Sequence, residues 1–429
     1  MHAPTPASAA APARPRSNFN PTVHGARGLF ASAIYFFHVV NSGLATYPVL
    51  AAPVVLFMLR STEYGVELFF CISGFVIAGA LKRARSIPGF LVDRMIRIFP
   101  VLWVTIAVIS GLGFISGTHG YRQLSASEYF LWLPANLVAL PGVFPLLLYH
   151  PAAWSLSYEA AFYISAAAAS FLAARYTRNL LFAAAPFAAL ALASYPRAIF
   201  FVSGVLVAEG LLDRPGIARL IRHPIVPLLI FLACWEGIQH LSPTDITDET
   251  MFGWWHDYRL PLAVVAFAAA TLFFAGLAAE YGALGRMLRS RVLLYLGTIS
   301  YSFYLWHPIA MSVIKFGLIK SGLAGKAGSS AQLLFLVLAL PPSLLLAHYS
   351  QRVLEQGAGV WLRRRLHHPA PRAAPEPLAA PAPIATSTLA LAEASSLALA
   401  EASALALGEV PTAILAEVPT PPVQGGNLG

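Results

Sequence analysis

The chain of 429 residues is short of charge, with only 11% of its residues Asp, Glu, Lys or Arg. A soluble domain carries about 25%, so a water-facing surface over the whole chain is excluded. Cysteine is scarcer still: Cys71 and Cys234 are the two in the sequence. Both lie in apolar segments, which excludes a disulfide framework. Acidic residues number 19 against 28 basic ones, a net charge of +9. That excess is not a nucleic-acid footprint, because the basic residues sit in short loops between apolar runs. The beginning of the chain lacks an apolar core. Residues 1–22, rich in Ala and Pro, therefore do not form a signal peptide and read as a disordered cytoplasmic arm.

What is abundant is apolar surface, at 58% of residues. The fold class is therefore all-α: a polytopic integral membrane protein whose spans occupy residues 23–362. A crossing helix needs about 20 apolar residues. Ten stretches qualify, near 27–46, 64–81, 98–117, 153–174, 178–195, 198–213, 223–240, 259–279, 292–314 and 332–354. Two further apolar pieces, 49–59 and 129–149, are interrupted by Pro53, Pro134, Pro141 and Pro145 and read as re-entrant or interfacial. With Arg27, Arg352 and Arg372 set aside, eighteen basic residues fall on one side of these spans and seven on the other. The positive-inside rule then puts both termini of this multi-pass protein in the cytoplasm. Residues 363–429 form a Pro/Ala-rich tail with an eight-residue repeat that sets Glu393, Glu401, Glu409 and Glu417 in register. Its composition predicts disorder.

Ionisable residues inside spans are costly and mark functional sites. Arg27 and His38 in the first span are eleven residues apart. That spacing is three helical turns plus about 20°, so they share a face about 16 Å apart and do not form a dyad. An arginine at the mouth and a histidine at depth describe an inward path, suited to an anion at its entrance and to proton transfer at its end. Arg94 and Arg97, three apart, lie on one face and suit a phosphate-bearing ligand, although snorkelling anchors have the same appearance. Counting residues from the loops puts Glu67, Glu159 and His307 toward the opposite side. This layout is what moving an activated group from a cytoplasmic anion to a non-cytoplasmic acceptor requires. A transporter or flippase using the buried His and Glu residues as a proton relay fits the same features. Such proteins are commonly built as inverted repeats, and residues 27–354 carry no evident internal repeat.

Five ordered motifs then carry a resemblance. Arg27, ten residues and His38 come first, followed by "GVELFFCISGFVI" at 65–77, with Glu67 where Asp is usual. Arg94, Arg97, Pro100 and Trp103 form the third, and "WSLSYEAAFY" at 154–163 the fourth. The fifth is "SYSFYLWHPI" at 300–309, and a closing segment lies around Glu355. Together they resemble the membrane acyltransferase-3 family, whose members O-acylate bacterial glycans. Ala160 and Ala161 depart from the pattern, standing where the family often has Glu and Gln, and Gln356 stands where Pro is common.

The resemblance implies an acyl-CoA donor, usually acetyl-CoA, and a carbohydrate or glycolipid acceptor, with no metal. It also implies that His38 is the catalytic residue and Arg27 its companion. Within that frame Arg94 and Arg97 would hold the donor phosphates, and Glu159 or Glu67 would orient the imidazole. Ser73, Trp154, Tyr304, Trp306 and His307 are candidates for the substrate pocket, with Ser73, Tyr304 and Trp306 able to donate to an oxyanion.

Overall fold

A computed structural model describes residues 19–45, 52–116, 126–177, 179–213, 215–241 and 259–366. The expected tail, most of the expected N-terminal arm and the loop at 242–258 lie outside them. Among the described residues the structure is helical and has no strand, with one isolated bridge between Pro141 and Phe144. In chain order the helices are α1 (Pro21–Val40), α2 (Pro53–Arg60), α3 (Gly65–Arg83), α4 (Ile87–Ser116), α5 (Ala126–Leu137) and α6 (Trp154–Leu172). They continue as α7 (Leu180–Ser194), α8 (Ile199–Ala208), α9 (Pro215–Ile221), α10 (Ile225–Leu241) and α11 (Arg259–Ala278). The last are α12 (Gly282–Leu288), α13 (Arg291–Lys320), α14 (Leu323–Ala327), α15 (Ala331–Ser350) and α16 (Gly359–Leu366).

Among the described residues, six helical stretches are long and apolar enough to cross a membrane: Val55–Arg83, Ile87–Gly113, Pro151–Tyr176, Pro261–Ala278, Arg291–Lys320 and Leu323–Arg365. The expected number was ten. The remaining expected spans fall on α1, α7, α8 and α10, which are helices but weaker candidates. α1 carries His24, Arg27 and His38, which lower its hydropathy, and the other three are shorter than a full crossing. The piece at 49–59 is also not separate. From Val55 it runs through a 3₁₀ turn at Ser61–Tyr64 straight into α3. The piece at 129–149 is α5 followed by a loop, held by Asn136, which donates to the Leu147 carbonyl at 2.8 Å and accepts from the Tyr149 amide at 2.9 Å.

Close backbone contact places the helices that build the site. α1 lies against α13 where Gly297 faces His24, and a Cβ on Gly297 would sit 2.1 Å from the His24 carbonyl oxygen. α3 lies against α8 in the same way: a Cβ on Gly204 would be 1.9 Å from the Cys71 carbonyl oxygen. Small residues let helices approach this closely where lipid supplies no hydrophobic drive. Gly74 faces α8, so its neighbour Ser73 turns toward the other side of α3, where the site lies.

Candidate functional site

α1, α3, α4, α6 and α13 converge on one cleft, with about 750 Å³ of free space that includes its opening to solvent. Arg27, Arg94 and Arg97 line it together with Ser73, Glu159 and Tyr304. The i, i+3 spacing of Arg94 and Arg97 presents both from one face of α4. Among the described residues, none of the three arginines makes a hydrogen bond or has a carboxylate within 4 Å. Arg94 Nε is buried without a partner, and its guanidinium lies 5.8 Å from the Phe90 ring centre. Glu159 and Glu355 act electrostatically on Arg27 and Arg97 at longer range.

Glu159 has its own partners. Ser73 donates to it at 3.2 Å, and the Tyr163 hydroxyl, one turn along α6, donates to the same oxygen. Tyr304 shares a 2.8 Å hydrogen bond with Ser155, and Tyr301 donates to the Ile98 carbonyl at 2.6 Å. Glu355 accepts from Ser302 at 2.6 Å. A cleft with three free guanidinium groups, a hydrogen-bonded carboxylate and several hydroxyls is built for a polar anionic ligand.

His38 is not in the lining of this cleft. It is half-buried near the end of α1, with its ring centre 5.2 Å from that of His307. His307 is fully buried, and its Nδ1 bonds the Phe303 carbonyl at 2.9 Å. A carbonyl can only accept, so Nδ1 carries the proton and Nε2 keeps a lone pair. That Nε2 is buried without a partner. Tyr304, one turn earlier on α13, faces the cleft and has its ring centre 6.1 Å from His307. It therefore stands between the cationic cleft and the histidine pair.

Glu67 is also placed outside the cleft lining. It is fully buried, with Oε1 3.3 Å from Arg197 Nη1, and Arg197 Nη2 is 3.8 Å from Glu63. Trp154 covers the same guanidinium at 5.2 Å. Glu67 and Trp154 thus belong to a buried ion-pair cluster rather than to the imidazole of His38. Trp306 packs into an apolar cluster with its Nε1 unpartnered. Breaking a buried pair costs about 3–5 kcal/mol because the remaining charge is stranded. Glu67→Gln should therefore lower the thermal midpoint of the purified protein, and adding Arg197→Met should recover part of the loss. A Glu67→Gln protein with unchanged stability and lost activity would give Glu67 a chemical role instead.

Three polar residues lining the cleft were not singled out as site candidates from sequence: Tyr163, Tyr301 and Ser155. The i, i+4 spacing of Glu159 and Tyr163 was the available signal for one of them. No group of three His, Cys, Asp or Glu able to hold a metal occurs among the described residues.

A family model described as an acyltransferase domain matches residues 20–348. The exopolysaccharide production protein ExoZ of Rhizobium meliloti (strain 1021) is 29% identical over 296 residues, covering 64% of this chain and 83% of that protein. Acyltransferase MdmB of Streptomyces mycarofaciens is 26% identical over 332 residues, covering 69% of this chain and 79% of its own. Nodulation protein 10 of Rhizobium leguminosarum bv. viciae is 27% identical over 125 residues, covering 26% of this chain and 34% of that protein. No solved structure matches. With three quarters of its length inside the family's domain and the family's motifs around one cleft, the chain belongs to the acyltransferase-3 family of membrane acyltransferases.

Proposed function

We propose that the protein moves an acetyl group from cytoplasmic acetyl-CoA to a hydroxyl of a cell-surface or exported carbohydrate. It does so from the bacterial inner membrane, with both termini in the cytoplasm. The observation that carries this reading is the trio Arg27, Arg94 and Arg97 around one cleft, with no carboxylate within 4 Å among the described residues. Cations without a directly bonded counterion in a membrane protein are costly unless a ligand supplies the charge, and the phosphates of CoA do so.

The helix that carries Arg27 also carries His38, about 16 Å further along its axis. With its phosphates at the arginines, the donor's flexible arm extends past Tyr304 toward the two imidazoles. His38 acts as general base. It takes the proton of the acceptor hydroxyl as that oxygen attacks the thioester carbonyl carbon. The C–S bond then breaks, the ester C–O bond is complete, and the proton passes from His38 to the departing thiolate. The neutral Nε2 of His307 accepts a hydrogen bond beside His38 and stabilises the imidazolium that forms. Tyr304 and Trp306 supply donors for the tetrahedral oxyanion; Ser73, whose hydrogen goes to Glu159, does not. Glu159 balances the arginine charge through the cleft and holds Ser73 and Tyr163 in place.

Membranes containing the full-length protein, supplied with acetyl-labelled acetyl-CoA, should accumulate label in carbohydrate as a base-labile ester. Membranes from cells lacking the protein should not. Equal labelling in the two preparations would overturn the assignment.

A further inference from the structure

His38 lies in the last turn of α1, where the final carbonyls have no donor within the helix. The Asn41 amide and the Asn41 side chain each serve the Phe37 carbonyl at 3.0 Å. The Val39 and Val40 carbonyls, which directly follow His38, receive a donor from another helix. The side-chain nitrogen of Gln332 is 3.0 Å from the first and 2.8 Å from the second. Gln332 is the second residue of α15, 293 positions beyond Val39. Its backbone N–H, a donor that the first turn of a helix leaves over, reaches the Ala45 carbonyl at 3.2 Å. One residue thus clasps both the end of α1 and the chain that leaves it.

The orientation of the amide follows from its neighbours. Carbonyls only accept, so the NH₂ group faces α1 and both its hydrogens are used. The other half of the amide is stranded: Gln332 is 3% exposed, and its Oε1 is buried without a partner. A methionine of similar length would fill the space without burying an unpaired oxygen. Packing alone therefore does not account for an amide here, whereas two donors at the end of α1 do. What they hold in place is the histidine pair. Tyr35, one turn before Val39, is buried and donates to the Leu336 carbonyl at 3.3 Å, one turn beyond Gln332. Its ring centre is 5.5 Å from that of Phe303 and 6.0 Å from that of His307. The last turns of α1 are seated in this way between α13 and α15, and that seating sets the 5.2 Å between His38 and His307.

We infer that Gln332 is a positioning residue for acyl transfer, its two N–H donors holding the last turn of α1 so that His38 stays against His307. The assignment rests on His38 as the base, as proposed above. A fray of that turn would displace His38 and leave Arg27, three turns back, where it is. A displacement of about 1 Å can cost about 10²-fold in rate.

Two variants of the full-length protein test this. Gln332→Met removes the donors at nearly constant length. Gln332→Lys restores donors without an acceptor, and its positive charge suits the C-terminal end of a helix. In Gln332→Met, kcat per folded protein should fall about tenfold or more, with the KM for acetyl-CoA unchanged because the arginines lie toward the other end of α1. Hydrogen exchange read by mass spectrometry should quicken at residues 38–42 and stay at the wild-type rate at 23–33. Gln332→Lys should recover most of both losses. On a His38→Ala background, Gln332→Met should change the residual rate by less than about twofold, because it acts through that side chain. Wild-type kcat in Gln332→Met would overturn the proposal. So would an equal loss on the His38→Ala background, or a raised KM with faster exchange throughout α1, each of which would make Gln332 a general packing residue. Exchange needs no turnover, so the two ways of failing are distinct: a clasp that does not exist leaves exchange at 38–42 unchanged, whereas a wrong catalytic reading leaves His38→Ala fully active. Either result ends the assignment.

Discussion

Replacing His38 by alanine is expected to lower acetyl transfer about 10²–10⁴-fold, the usual contribution of a positioned general base, with the protein still folded and inserted. The fold should survive because His38 is half-buried and its ring contacts are with Phe37 and His307. Truncation there removes little packing from the core that α1 shares with α13. The measurement is label transferred per mole of folded protein, with the folded amount fixed by size-exclusion chromatography. His348→Ala supplies the control. That histidine shares a hydrogen bond with Tyr295 at 2.8 Å and is not in the cleft lining, and its loss should leave the rate alone. A brief incubation of the wild type separates two routes. Acetyl label bound to protein at His38 would show an acyl-imidazole intermediate, whereas its absence alongside normal turnover would show direct attack. Full activity in His38→Ala would remove the residue from the chemistry altogether.

The reasons the spacing of Arg27 and His38 was readable in sequence, and other placements were not, are physical. Arg27 and His38 are read from one helix, where 3.6 residues per turn fixes both face and separation. The Arg94 and Arg97 pair is legible for the same reason. Glu159 is different. Counting inward from the loops set it on the opposite side of the membrane from those arginines, yet the structure puts all three residues around one cleft. α4 begins at Ile87, so Arg97 is already ten residues along it, about 15 Å from its start. A long helix carries its charges deeper than a hydropathy boundary suggests.

The partner of Glu67 is Arg197, 130 positions away with four helices between them in the chain. No periodicity encodes such a pairing, which depends on the close seating of α3 against α8 at Gly74 and Gly204. The count of ten spans is not confirmed, for a related reason. α7, α8 and α10 are helices packed against neighbours as well as lipid, and can be shorter than a helix that crosses alone.

The second large effect belongs to the arginines. Arg94→Ala combined with Arg97→Ala should raise the apparent KM for acetyl-CoA on the order of 10²-fold or more. Each lost charge-assisted hydrogen bond contributes about 1.5–3 kcal/mol, and about 1.4 kcal/mol is tenfold. The acceptor KM should change little, since the acceptor hydroxyl is placed at His38, about 16 Å along α1 from the arginine end of the cleft. Neither arginine has a carboxylate within 4 Å among the described residues, and Arg27 remains beside Glu159 and Glu355 when both are removed, so the fold is not put at risk. Arg94→Lys with Arg97→Lys should fall between, because a point charge attracts phosphate without the planar fork of the guanidinium. The decisive comparison uses a second donor, the acetyl thioester of pantetheine, which lacks the phosphates. The wild type should prefer acetyl-CoA strongly over this compound, whereas the double alanine variant should lose most of that preference, because an interaction already removed cannot be removed again. If the preference survived intact, the phosphates would have to be held elsewhere, and Arg94 and Arg97 would be anchors of the membrane boundary.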